Sequence, residues 1–157
     1  MPAPPDEHER ELAEAAYQDF YEDAIAEPIK YIKHDSRAHD DDALYCLVSD
    51  GGMAYLGWYW VLVELLAGRK GHYYDVSEPW CWKKLANDMS CMCPMSVEEC
   101  QRFIVKLYEL DLIISEQYEE LHRVAIARML RDAQEYARDV AGKKVGAWKT
   151  NRKKLLS

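Results

Sequence analysis

The chain has no uninterrupted apolar run approaching the ~18 residues that a membrane span needs. Its start, MPAPPDEHERE, lacks the basic and apolar segments of a secretion signal. These two absences make a cytoplasmic location, with no membrane partner, the expectation. Patterns for a phosphate-cradling loop, a GxSxG nucleophile or a GxGxxG dinucleotide site are missing, and no cysteine–histidine or serine–histidine pairing stands out. A non-enzyme is therefore expected, with no cofactor and no catalytic residue. No long glycine- or proline-rich linker divides the 157 residues, which suits one domain with terminal extensions. Positive net charge is lacking too. The 20 lysines and arginines face 28 aspartates and glutamates, and the formal charge of −8 opposes whole-molecule attraction to nucleic acid.

What is there is segregated. Between Asp6 and Glu27 stand nine acidic side chains and one basic one, Arg10. Between Lys143 and Lys154 stand six basic side chains (143, 144, 149, 152, 153 and 154) and no acidic one. The five cysteines (46, 81, 91, 93 and 100) are odd in number and lack a secretory address, which favours reduced thiols over disulfides. Cys91 and Cys93, flanked by Cys81 and Cys100, invite a zinc reading. A CxC alone is not the paired CxxC of a zinc knuckle, and no metal is expected.

Hydrophobic period organises the rest. Residues 7–25 place Leu12, Ala16, Phe20 and Ala24 on one stripe among acids, an amphipathic helix that must cover something. Residues 29–33 alternate as a short strand. Asp40 to Asp42 can cap a short helix over 43–49, stopped by Gly51 and Gly52. A helix over 53–67 is apolar on nearly all faces and should be central. Residues 72–76 suit a strand, and Ser77 with Pro79 opens a helix to about Met89. Ser96 and Glu99 form a capping box for a helix over 96–110, whose core stripe is Val97, Cys100, Phe103, Ile104 and Leu107. Residues 112–115 and 123–126 read as a β-hairpin around the acidic tip Glu116-Gln-Tyr-Glu-Glu120. A last helix from Ala127 should end near Gly142, with the basic tail frayed beyond it.

The order helix–helix–helix–hairpin is that of a winged helix-turn-helix. The expected fold is mainly α with a small β-hairpin, carrying additional N- and C-terminal helices. Its parts are an acidic extension over 1–28, the winged-helix domain over 29–141 and a basic tail over 142–157. Such a module docks on DNA or protein more often than it does chemistry.

The candidate DNA contacts are Lys83 and Lys84 on the helix before the capping box, and Arg102 and Lys106 on the helix after it. The tail adds Lys143, Lys144, Lys149, Arg152, Lys153 and Lys154. Arg102 and Lys106 are one helical step apart and can reach a groove together. Glutamates share that surface, and the acidic wing would repel phosphate. The aromatics Tyr55, Trp58, Tyr59, Trp60, Trp80 and Trp82 are expected to pack in the core rather than stack on bases. The cluster His34-Asp35 with His39 to Asp42 is expected to serve turns and caps rather than a metal.

The run HDSRAHDDDALYCLVSDGGMAYLGWYWVLVELL resembles the opening of a phage-associated family similar to the N-terminal winged-helix domain of DnaD-like replication proteins. The cues are His34-Asp35-Ser36 with Arg37, Asp40, Gly52, Gly57-x-Tyr59-Trp60, Glu64, Tyr73 and Tyr74, within about residues 29–140. The resemblance implies replication initiation or replisome organisation in a phage or mobile element, through DNA contact, self-association or a replication partner. The acidic helix before Pro28 and the acidic wing depart from that pattern. A module that pairs with itself or with a replication protein, without touching DNA, is the alternative expectation. In a third arrangement the acidic helix lies against the basic tail and masks it.

Overall fold

Each early helix begins at a side chain that answers the free amides of its first turn. In the computed structural model, which describes residues 6–29 and 41–157, Asp6 accepts the Glu9 amide at 2.8 Å and opens α1, Glu7–Ile25. Asp41 accepts the Leu44 amide at 3.0 Å and opens α2, Asp42–Gly51. These caps satisfy donors that would otherwise be left without partners. The strand expected over 29–33 and the His34–Asp40 part of the polar cluster lie outside the described residues, apart from Ile29, whose amide donates to the Ala67 carbonyl at 2.7 Å.

Gly52, at φ +75°, closes α2 and opens the central helix α3, Met53–Ala67. A backbone turned into that region is easy only for glycine. α3 buries Trp58, Tyr59, Leu62, Val63 and Leu66, as its apolar residues on all faces predict. The strand β1, Tyr74–Asp75, follows, and then α4, Pro79–Met89, and α5, Val97–Glu109. Proline opens α4, but the residue at the cap is Glu78; Ser77 instead donates its amide to Asp75 at 2.8 Å. The capping box of α5 is complete: Ser96 Oγ accepts the Glu99 amide and Glu99 accepts the Ser96 amide, both at 3.1 Å. Its stripe of Cys100, Phe103, Ile104 and Leu107 is fully buried, and Val97 packs beside it half-buried. Phe103 takes edge-to-face contacts from Tyr55 (5.3 Å) and Trp58 (5.9 Å).

The segment expected to be a simple hairpin is different. Ile113 makes a single antiparallel bridge to Ile126. Between them lies a short helix, α6, Ser115–Leu121, ended by His122 in the left-handed region at φ 51°. The polar tip is helical because Tyr118 has somewhere to go: it packs against the core at 5.1 Å from Tyr108, whose hydroxyl donates to Glu119. The strand β2, Arg123–Val124, pairs with β1 rather than with residues 112–115, with Tyr74 opposite Val124.

The last helix also departs from expectation. α7, Ala127–Leu156, continues through Gly142 and Gly146, so the basic segment is helical and not frayed. Neither glycine has a positive φ. The chain divides into two compact units, one of residues 28–131 and one of residues 1–27 with 132–157, so the boundary falls within α7 and not at residue 142. The first holds the large buried side chains. In the second, α1 and the distal part of α7 run antiparallel, because Glu9 meets Arg152 while Phe20 meets Lys144. Among the described residues no helix is long and apolar enough to cross a membrane.

Candidate nucleic-acid interface

The cations proposed from sequence fall into three environments. The first is the outer face of α4. Cys81, Leu85, Ala86 and Met89 recur at helical spacing and turn inward. Lys83 and Lys84 are left exposed on the opposite side, together with Trp80 and Asn87. Trp80 is 62% exposed, which overturns its expected place in the core; Trp58 and Tyr59 are buried, and Tyr55, Trp60 and Trp82 pack half-buried against it. The one acid within α4, Asp88, accepts the Tyr74 hydroxyl at 2.7 Å. Burial and this carboxylate push the Tyr74 phenol well above its ordinary range, so it stays a hydrogen-bond donor. Asp88 is half-buried one turn on from Lys84, at the edge of this face, while the outward stripe of Trp80, Lys83, Lys84 and Asn87 itself carries two cations and no acid.

The second environment is α5. Lys106 is held by Asp50 at 2.9 Å and Glu109 at 3.2 Å, and hydrogen bonds to both carboxylates, Asp50 first, raise its ammonium above the usual lysine value. Its charge is spent within the fold. Arg102 is exposed and makes no ion pair among the described residues, but its neighbours on that surface are Glu98, Gln101, Glu109 and the 42%-exposed Val105. Arg102, Val105 and Lys106 line a shallow groove with Asp50, Tyr55 and Glu109. The pair expected to enter a groove together is thus split, with one member neutralised and the other set among acids.

The third is the distal half of α7. Arg152 forms a forked contact to Glu9, Nη2 to Oε1 at 3.0 Å and Nε to Oε2 at 3.2 Å, and lies 5.5 Å from the Trp148 ring. Lys144 sits 5.8 Å from the Phe20 ring centre, and Lys143 pairs with Asp139 at 3.2 Å. Lys149 lines a shallow pocket with Tyr17 and Glu14. Lys153 and Lys154 are exposed with no ion pair among the described residues. A helix turns 100° per residue, so these six cations point around its whole circumference and do not form one stripe.

Two arginines elsewhere lie over aromatic rings. Arg69 stacks over Tyr74 at 4.4 Å, and Arg123 stacks over Tyr73 at 4.1 Å. Cys81 and Cys100 are buried and Cys46, Cys91 and Cys93 exposed. Burial alone pushes the Cys100 thiol up to about 12. No group of three or more His, Cys, Asp or Glu side chains suited to a metal occurs among the described residues.

Lys83 and Lys84 stand exposed on α4, and Trp80, which its type assigns to the core, stands exposed beside them. The period of Cys81, Leu85 and Met89 already put Trp80 on the lysine side of α4. Comparison with protein-family models, curated proteins and solved structures finds no match to this chain.

Proposed function

We propose that this chain is a non-enzymatic, DNA-binding winged-helix module of the kind that serves replication initiation in phages or mobile elements. The order α3–β1–α4–α5, followed by the Ile113–Ile126 bridge and the return of β2 to β1, supports the winged-helix reading. The resemblance of residues 29–140 to the DnaD-like pattern supports the biological setting. One observation carries the DNA contact: in a chain of net charge −8, the outer face of α4 presents Lys83 and Lys84 with no acid on the stripe. The contact is weak and electrostatic, with Arg102, Lys153 and Lys154 adding to it from elsewhere on the surface. Lys106 and Arg152 contribute little, because each is already paired with carboxylate.

Fluorescence anisotropy of a labelled duplex, repeated across salt concentrations, tests this. Each neutralised phosphate contributes about 0.9 to the slope of log affinity against log salt. Replacing Lys83 and Lys84 by alanine should lower the slope by about two. An unchanged slope in the double variant sinks the proposal, as does the absence of binding to both duplex and single-stranded DNA at low salt.

A second reading has its own observation. Val105 stands exposed among Glu98, Gln101 and Glu109 on α5, with the acidic α6 following in sequence. Arg102 stands beside them, and an exposed apolar centre with a polar rim of both charge signs suits a protein surface, either a second copy or a replication partner. A Val105→Lys variant that leaves both mass and partner binding unaltered would remove this reading.

A further inference from the structure

We infer that the α4 face takes an unpaired strand of DNA in preference to a duplex, with Trp80 as a stacking platform for a base and Lys83 and Lys84 on the flanking phosphates. This rests on the DNA-binding proposal above and assigns it a substrate class. The packing of α4 is complete without Trp80: Cys81, Leu85, Ala86 and Met89 fill the inner side, and Trp82 is half-buried beside them. Trp80 is instead 62% exposed on the first turn of the helix. Lys83 and Lys84 stand three and four residues further on, so both ammonium groups share the indole's side of α4 about one turn away. Asn87 extends the same stripe by a further turn and supplies both a donor and an acceptor.

An exposed indole with cations alongside matches the chemistry of an unpaired nucleotide strand. Base faces are free to stack on an aromatic ring only when the bases are not already stacked in a duplex. Phosphates follow each base at close spacing and are met by flexible lysine ammonium groups. Charge complementarity points the same way, since the four stripe residues hold two cations and no acid, with the half-buried Asp88 carboxylate at their edge accepting the Tyr74 hydroxyl. The other acid close in sequence, Glu78, precedes the helix at its cap. A convex helix face with two lysines and no arginine offers little for reading base edges in a duplex groove, where forked contacts discriminate. The surface therefore tolerates any sequence and selects for strand state.

The full chain is titrated into labelled oligothymidine and, separately, into a blunt duplex of the same length, following anisotropy and tryptophan emission. The expected results are tighter binding of the single strand, quenching of emission on binding, and a loss of about tenfold in single-strand affinity in Trp80→Ala with duplex affinity unchanged. Trp80→Phe should keep part of the affinity because its ring still stacks, and should lose the quenching component that belongs to Trp80. Circular dichroism checks that the variants fold. If Trp80→Ala is not folded, the phenylalanine variant and the wild-type preference for single strand decide alone. Equal or tighter duplex binding, or a Trp80→Ala variant with unaltered single-strand affinity, overturns strand selection while leaving DNA binding in place. Binding of neither probe at low salt overturns both.

Discussion

Residues 28–131 bury Phe103, Leu47, Leu62, Leu66, Leu85 and Met89 to below 2% exposure, whereas in residues 1–27 with 132–157 the buried side chains among the described residues are alanines, such as Ala133, Ala137 and Ala141. The large side chains of α1, including Leu12, Phe20 and Tyr21, remain half-buried. Burial of a large apolar side chain is worth roughly 1.5–3 kcal/mol, and an alanine far less. The first unit is therefore held by packing. The second leans on helix propensity, a forked ion pair and cation–ring contacts, each worth about 1 kcal/mol or less at a surface. The contrast places the robust scaffold under the α4 face and the labile, salt-responsive contacts around the basic segment.

The largest perturbation should come from the packed unit. Phe103→Ala removes a ring contacted by Tyr55 and Trp58 and should cost about 3–5 kcal/mol, read as a large fall in the urea midpoint. A shift under ~1 kcal/mol would mean that Phe103 does not anchor the core. The same closure predicts a split in thiol labelling: Cys46, Cys91 and Cys93 react quickly, and Cys81 and Cys100 only on unfolding. Rapid modification of all five would contradict it.

Next is the cap of α5. Ser96→Ala should cost about 1 kcal/mol. Glu99 has its carboxyl held below the usual range, first by the Ser96 backbone amide and then by its side chain. A folded-state pKa below the unfolded one gives stability that is present above the ordinary glutamate range, about 4.3, and is lost as pH falls through the folded value. The difference between wild type and Glu99→Gln should therefore be seen at neutral pH and vanish in acid. A difference independent of pH would assign it to something other than the carboxylate.

In the alanine-lined unit, Gly142→Ala and Gly146→Ala have open space for the new methyl group and should each stabilise α7 by about 0.5–1 kcal/mol. Destabilisation by either would show that the glycine is needed. Smallest is Glu9→Gln, which breaks the forked pair with Arg152: about 0–1 kcal/mol, fading as salt is added. Hydrogen exchange in α1 should quicken while α3 stays protected, and a uniform response would dissolve the distinction between the units.

Sequence was most legible where local chemistry and burial agreed. Asp6, Asp41 and Ser96 each sit where a helix starts, and the stripe of α5 matches its buried face. Ser77 misled, because Asp75 accepts its amide in a tight turn and the helix starts one residue later. The tip at 116–120 misled for a longer-range reason: its helicity depends on Tyr118 meeting Tyr108 from another element. Gly142 suggests a stop by its type, yet glycine in a helix costs only about 1 kcal/mol, which neighbouring turns such as the one holding Asp139 and Lys143 can offset. Of the candidate site, Lys83 and Lys84 were legible from spacing. The neutralisation of Lys106 by Asp50 was not, since Asp50 comes from a helix more than fifty residues earlier.

The contact between Glu9 and Arg152 joins residues 143 positions apart. A ribosome delivers α1 first and the distal part of α7 far later. During that interval the apolar stripe of α1 has no partner from its own unit, and residues 28–131 emerge and can fold behind it. The acids that cover the rest of α1 leave that stripe as its one apolar face in the meantime, and like charge keeps such segments of neighbouring chains apart. The basic segment, arriving last, completes the unit and supplies the packing that a lone helix of this length needs.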